Sequence, residues 1–546
     1  MEETCRGRIC NRAVVEKKLW PAVNGVTAGH SPQSKQLENN TIPTNLSNER
    51  KGQRVVKPTP EQSKVIDLAK GGGSMAVEAV AGAGKTTTLM MAAEQIPGRG
   101  VFTAFNRAIV DDIKTKAPRN TQANTIHSLA MRGTNRDFAH RLGSHRLKSK
   151  ELARRYGITG QKVSTANGSK WLSEGFLAGM ITKTLRQFCQ TDKERIEQWM
   201  MPTPLIVKED PQLAEMYDQF RPDVIESAQR AWDSDLSKPD GTLPYEHGFY
   251  LKSWQLQGPD IDGDFLMIDE AQDLSQIMIG IVEHNRARGL QIIAVGDPNQ
   301  QIYGWNGAVD AIDKLDFEHR TRLTSSFRFG PEIAQVANMI LSSLSSDIRV
   351  VGAGKPGSVG TIDEPRMFLS RTNVATVRQA IREATDGRSA HIVGGAEDII
   401  SFCRAAAELR DGRRVMHPEL SWADDWAEVV AYANQDELGG DLKLFVDLVT
   451  QFGERELIDL LKKQPKLKDA DVVLSTAHKA KGLEHRRVRL LGDFSPEPMG
   501  EEKRLLYVAV TRAEHQLDIG EVAWLRSLTE KPKAIAAPPK ALPAGK

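Results

Sequence analysis

A lysine, a threonine and two adjacent carboxylates carry the plainest chemistry in this sequence. Ala79-Val80-Ala81-Gly82-Ala83-Gly84-Lys85-Thr86 follows the apolar run 75–80, and a helical pattern begins at Thr87. Small residues ending in Gly-Lys-Thr between a strand and a helix make a phosphate cradle. Backbone N–H groups from Ala81 to Thr87 (Ala81, Gly82, Ala83, Gly84, Lys85, Thr86, Thr87) turn partial positive charge toward an anion. Lys85 adds a full charge for the β- and γ-phosphates, and the Thr86 hydroxyl suits a Mg²⁺ ion. Ala79 stands where the general pattern has glycine. A second strand-like run, 264–268, ends in Asp269-Glu270-Ala271-Gln272-Asp273. Asp269 there suits Mg²⁺ through its water shell. Glu270 suits orienting and deprotonating an attacking water. ATP and Mg²⁺ are the ligands these residue types predict.

Other side chains sit at strand ends, where an α/β sheet binds its ligands. Gln62 precedes the phosphate loop, and its carboxamide can read an adenine edge. Phe105 and Asn106 follow the run 100–104, and Thr125 and His127 follow soon after. Phe105 suits stacking on a base, and Asn106, Thr125 and His127 suit bonds to phosphates. Each taken singly reads equally as a core aromatic or a loop cap. Strand 290–295 delivers Gly296-Asp297-Pro298-Asn299-Gln300-Gln301-Ile302-Tyr303-Gly304-Trp305. Gln300 is placed to sense a γ-phosphate. Tyr303 and Trp305 suit base stacking, with hydrophobic packing as the alternative for both. Phe327 and Arg328 are a candidate adenine stacker and a candidate arginine finger. Arg512, near the end of a helix read over 501–513, is a second finger candidate.

These residues need several strands and helices to bring them together. The run of strand, loop and helix repeats along the chain and predicts an α/β fold. At 546 residues, three or four domains are expected. Net charge is only +2, so a polyanion site must be a local patch. One such patch is the cluster Arg141, Arg146, Lys148, Lys150, Arg154 and Arg155, opposed by Glu151 alone. Another is the tail 1–57, where ten Lys/Arg face five Glu. Cys5, Cys10, Cys189 and Cys403 are too scattered for a disulfide framework or a zinc site. No apolar run is long enough to span a bilayer and no apolar signal core opens the chain, so an intracellular protein is expected, cytoplasmic or, in a eukaryote, nuclear. Thr59-Pro60 predicts a helix start with Thr59 as its cap. Residues 130–250 read as irregular helix. The Lys/Pro/Ala-rich stretch 527–546 is expected to be disordered.

Taken in order, the phosphate loop, Asp-Glu-Ala-Gln-Asp, Gly-Asp-x-x-Gln, Phe-Arg, Thr-x-His-x-x-Lys-Gly-Leu-Glu (476–484) and Tyr-Val-x-Val-Thr-Arg-Ala (507–513) resemble the UvrD/Rep group of superfamily 1 DNA helicases. The stretches 254–256, 296–303, 323–330 and 477–484 look most like the F-box DNA helicase branch, although no F-box is evident. The resemblance implies two RecA-like P-loop NTPase domains with mainly helical insertions. Domain 1A takes 58–120 and 255–322, insertion 1B 121–254, domain 2A 323–395 and 471–526, and a short insertion 2B 396–470. It implies that Gln62 reads adenine and Phe327 stacks on it. It implies that Gln300, Arg328 and Arg512 meet the γ-phosphate and that Glu484 reaches the ribose. Phe105, His127, Tyr303, Trp305, Thr476 and His478 would line a track for single-stranded DNA. It further implies ATP-dependent movement 3′ to 5′, on single strands or DNA with a 3′ single-stranded tail, in replication, recombination or repair. Two alternatives stay open: a motor that chiefly strips proteins such as recombinase filaments or replication proteins from single strands, and a vestigial ATP-dependent binding protein. Asn306 departs from the family, which commonly has Arg after that Trp.

Overall fold

The computed structural model describes residues 57–530, apart from 105–106, 143–146, 148, 166–167, 204–210, 305–308, 414, 416, 418–419, 421–422, 424 and 434–439. Expectations for Phe105, Asn106, Trp305, Asn306, Arg146, Lys148 and most of both tails therefore lie outside the described residues. The described chain falls in a single compact unit that begins at Pro58.

The strands form where apolar runs predict them. β1 (Met75–Ala79), β2 (Gly100–Thr103) and β3 (Thr121–Asn124) open the first sheet. The chain then leaves it and forms an antiparallel hairpin from β4 (Gln161–Thr165) and β5 (Gly168–Leu172). It returns for β6 (Phe265–Ile268), β7 (Gln291–Gly296) and β8 (His319–Leu323). Their spatial order is β3-β2-β6-β7-β1-β8, and every pairing is parallel. A parallel sheet is covered on both faces, so β2 and β6 are buried throughout. The edge strand β8 instead alternates exposed Arg320 and Arg322 with buried Thr321 and Leu323.

The minimal pair β9 (Ser325–Ser326) and β10 (Val351–Gly352) follows. The second sheet holds β11 (Ser358–Val359), β12 (Met367–Ser370), β13 (Ala390–Ile392), β14 (Val472–Thr476), β15 (His485–Leu490) and β16 (Ala513–Asp518). Its order is β11-β16-β15-β12-β14-β13, again wholly parallel. The protein is thus α/β, with two parallel sheets flanked by helices.

Several sequence readings need correction. β3 belongs to the first sheet, because its residues 121–124 pair with β2. Helix Gly500–Val510 stops before Thr511, and Ala513 already starts β16. Residues 130–250 contain the β4–β5 hairpin, which an all-helical reading misses although Asn167-Gly168 is a hairpin signal. Helix Ala523–Glu530 runs into the stretch expected to be disordered from 527. The region 396–470 packs as helices Glu397–Arg410, Trp426–Ala433, Gly440–Phe452 and Glu454–Lys462. Ile399, Phe402, Cys403, Ala406 and Leu409 follow helical spacing and share one apolar core with Phe368, Val472 and Leu474 of the second sheet. This region is a cover for the sheet.

Candidate nucleotide site and adjoining track

Helix Pro60–Lys70 and the loop after β1 build one wall. Thr59 caps the helix, accepting from Gln62 N–H, while Gln62 Oε1 accepts from Thr59 N–H at 3.0 Å, a reciprocal capping box. Gln62 Nε2 donates to Thr88 Oγ1 at 3.0 Å, which fixes the carboxamide beside the loop. Gly82 and Gly84 both have φ of +74°, a backbone that side chains resist. A Cβ on Gly82 would lie 2.7 Å from Ser326 Oγ and from Arg328 Cβ. One on Gly84 would meet Gln62 Nε2 at 3.3 Å and the Phe327 ring at 3.9 Å. The glycines therefore keep open a cradle walled by Gln62, Ser326, Phe327 and Arg328. Ser326 Oγ is buried there without a hydrogen-bond partner among the described residues. An orphaned donor beside a glycine loop that leads into a helix N-terminus fits a phosphate. Phe327 N–H donates to Gly82 O at 2.9 Å, yet its ring is 49% exposed and so free to stack.

The acids come from the end of β6. Thr86 Oγ1 donates to Asp269 Oδ2 at 2.5 Å, and Lys85 Nζ lies 3.5 Å from Glu270 Oε1. Threonine hydroxyl and carboxylate side by side are hard oxygen donors of the kind Mg²⁺ takes. Burial and the neighbouring Glu270 charge push the Asp269 carboxyl up from its ordinary value. Burial opposes ionisation of Glu270 too, but Lys85 and then Lys481 outweigh it and hold its carboxyl low. Glu270 is thus kept as a carboxylate. Its backbone is left-handed, with φ of +55°. Gln272 Nε2 donates to Glu270 Oε2 at 2.7 Å, and Gln272 Oε1 accepts from Asp297 N–H at 2.9 Å.

The other wall comes from the second sheet. Arg512, at the turn from helix Gly500–Val510 into β16, is buried. Its Nη2 donates to Gln300 Oε1 at 3.2 Å, and its Nε to Val508 O at 2.9 Å. Gln300 Nε2 in turn donates to Asp297 Oδ2 at 2.6 Å, which also accepts from Tyr507 OH at 3.2 Å. Burial lowers the Arg512 guanidinium to about 9, and the charge of Arg328 adds to this. Two cations so placed favour an anion between them. Arg328 Nε donates to Glu484 Oε2 at 2.6 Å and Nη1 to Thr511 O at 2.9 Å. The structure therefore brings Gln62, the 81–87 loop, Asp269, Glu270, Gln300, Phe327, Arg328, Glu484 and Arg512 around one seam.

Beside the acids lies a cavity of about 360 Å³, lined by Thr125, His127, His247, Asp269, Glu270, Asp273 and Tyr303 among others. Thr125 caps helix Ile126–Gly133 through Ser128 N–H. His127 Nδ1 is 3.1 Å from Tyr250 OH, and burial, then His247, lowers its pKa to about 4. Tyr303 OH donates to the His478 carbonyl at 3.2 Å, so loops of the two sheets meet there. Thr476 accepts from Lys479 N–H at 3.3 Å, and burial, then Arg371, lowers the pKa of His478. Thr476 and His478 are not among the residues lining the cavity. The sequence reading passed over Gln272, Asp273, Asp297, Lys481 and Tyr507. All five lie inside motifs it quoted, but each also has a partner distant in sequence. Among the described residues no helix is long and apolar enough to cross a membrane.

Residues 62–306 match a family model described as an AAA domain, and residues 404–522 match the UvrD-like helicase C-terminal domain. The chain is 29% identical over 516 residues to F-box DNA helicase 1 of Gallus gallus, covering 84% of this chain and 48% of that protein. It is 26% identical over 512 residues to F-box DNA helicase protein 1 of Schizosaccharomyces pombe, covering 85% and 57%. The chain thus spans about half the length of these curated relatives. Among solved structures, Arterivirus nonstructural protein 10 (helicase) aligns at 10% identity over 85% of this chain and 64% of that one, and its TM-score of 0.31 carries no argument. The two matches fall in the order the motifs set out, and with the curated relatives they make the chain similar to UvrD-like DNA helicases.

Proposed function

We propose that the chain is an ATP-driven helicase or translocase on single-stranded DNA that moves 3′ to 5′. One observation carries the reading. Arg512 from the second sheet reaches Gln300 of the first, across a seam whose opposite wall holds Lys85, Thr86, Asp269 and Glu270. Such a seam couples nucleotide state to the separation of two units. In this reading residues 58–124 and 255–322 form one RecA-like unit, and 323–395 with 471–526 the other.

Lys85 and the 81–87 loop hold the phosphates. Thr86 and Asp269 would hold Mg²⁺, which when bound neutralises charge on the phosphates. Glu270 takes the proton of the attacking water, and Gln272 keeps its carboxylate aimed. Arg328 and Arg512 bind the charge that develops on the far side. Gln62 and Phe327 receive the adenine, and Glu484, released from Arg328, receives the ribose. Phe105, Asn106, Thr125, His127, Tyr303, Trp305, Thr476 and His478 grip the strand. A role in replication, recombination or repair follows from the substrate, DNA with a 3′ single-stranded tail.

ATP turnover with and without a single-stranded oligonucleotide tests this, beside strand displacement on 3′- and 5′-tailed duplexes. Turnover stimulated by DNA and displacement from the 3′ tail are expected. Glu270→Gln should lower stimulated turnover by about 10²–10⁴-fold while nucleotide still binds. Wild-type turnover indifferent to DNA would end the motor reading.

A further inference from the structure

One lysine joins the two sides of the seam on the track side of the acids. Lys481 stands in the turn between β14 and β15, on the second unit. Its Nζ donates to Asp273 Oδ2 at 2.5 Å and to the Gln300 carbonyl at 2.8 Å, both on the first unit. The ion pair is shielded: the side chains of Lys481 and Asp273 are only 10% and 2% exposed. Lys481 Nζ also lies 5.2 Å from the centroid of the Tyr303 ring. That ring lines the cavity shared with Thr125 and His127, and its hydroxyl is tied to the His478 carbonyl.

The chain of contacts continues from Asp273 to the base. Gln272 Nε2 lies 3.4 Å from the same Asp273 Oδ2 and 2.7 Å from Glu270 Oε2. Tyr303, Lys481, Asp273, Gln272 and Glu270 are thus contiguous. Asp273 Oδ1 is buried with no hydrogen-bond partner among the described residues, and Lys481 is the cation paired with this carboxylate, the charge of Lys85 acting on it more weakly. A buried carboxylate depends strongly on the cation paired with it. Whatever displaces the Tyr303 ring or draws Lys481 toward a phosphate therefore changes what holds Gln272 and Glu270.

From this geometry we infer that Lys481 is the positioning residue through which a polynucleotide on the track controls the Glu270 carboxylate, acting by way of Asp273 and Gln272. The inference rests on the motor reading above and names the contact that makes the motor responsive to its strand. Lys481 itself touches neither the reacting phosphate nor the water. Its two-sided contact gives two discrete arrangements, seated on Asp273 or withdrawn, which both the nucleotide and the strand bias.

The test uses the full chain and a single-stranded oligo(dT). ATP turnover is measured with and without the oligonucleotide, and oligonucleotide affinity with and without a non-hydrolysable ATP analogue. Linkage requires that the two ligands alter each other's affinity by the same factor. In Lys481→Met the ratio of stimulated to unstimulated turnover should fall roughly tenfold, and the effect of the analogue on oligonucleotide affinity should shrink toward none. Asp273→Asn, which keeps the shape and removes the charge, should do the same, while Lys481→Arg should retain most of the ratio. A Lys481→Met protein with an unchanged ratio and intact linkage overturns the inference. So does one in which stimulated and unstimulated turnover fall in equal proportion with linkage preserved. Wild-type protein that ignores the oligonucleotide overturns the motor reading instead, and the link with it.

Discussion

The two walls of the seam are built on different terms. The first is held by short contacts on and beside its own backbone: the capping box at Thr59, the open glycines 82 and 84, and the Thr86–Asp269 side-chain contact all lie within one α/β unit. The second wall consists of long side chains that already have partners at home. Arg328 is bonded to Glu484 and to the Thr511 carbonyl, and Arg512 to the Val508 carbonyl, with one side-chain bond crossing to Gln300. A wall made of backbone binds without rearranging. A wall made of engaged guanidiniums must exchange partners when an anion arrives, which makes it the responsive half. Arg328 and Glu484 illustrate this, since both are assigned to the nucleotide and in this structure hold each other.

The comparison can be broken first at Arg512. Arg512→Lys keeps a cation but loses the fork, and turnover should fall by about 10³-fold or more while nucleotide affinity changes little. Equal loss of binding and turnover would make the second wall a passive binding surface like the first. Melting curves on the same variant separate this from unfolding, because Arg512 is buried. Phe327→Ala comes next. Its ring is exposed and contributes no core, so stability should hold while the KM for ATP rises up to about tenfold. An unchanged KM would remove stacking from the account of the cradle. Gln62→Ala should cost the nucleotide-free protein about 0.3–1.5 kcal/mol through the lost box, read in denaturant melts. A shift in ATP-over-GTP preference on top of that would add base reading to capping.

The smallest effect concerns acid. His127, facing Tyr250 and His247, has a folded pKa of about 4 against an ordinary 6.5. Between those values the unfolded chain binds the proton and the folded one does not. Stability contributed by neutral His127 is therefore full above pH 6.5 and lost as pH falls toward 4. His127→Gln should flatten the dependence of the melting temperature over that window by a few degrees; an equally steep curve would place the titration elsewhere.

Much of the first wall was legible because its signals are local. Gly-Lys-Thr between strand and helix, or Asp-Glu closing an apolar run, says where a side chain lies without knowing the rest of the chain. Arg512 was legible only as part of a longer resemblance, since nothing near it in sequence says it faces Gln300. Lys481 was not legible at all. Its partner Asp273 lies on another unit, and a lysine in a loop ordinarily reads as solvated. The extent of helix Gly500–Val510 was misjudged for a related reason: Thr511 and Arg512 have good helical company, yet β16 has to begin at Ala513 to pair with β15. The hairpin β4–β5 was overlooked because its buried apolar residues are few, Val163 and Leu172, while Trp171 is 66% exposed. The role of 396–470 as a cover became visible only once its apolar stripes met the second sheet.

Glu270 sits in a conformation that glycine or asparagine occupies at ease and other side chains resist. A chain tuned for thermal endurance alone would put one of those two residues at this spot, and would melt later for it. Keeping glutamate there accepts local tension so that a carboxylate leaves the sheet at an angle a relaxed backbone does not offer. Under the proposed function the strained turn of the first unit is also its reactive point, and attempts to toughen the protein by relaxing that turn would be expected to silence it.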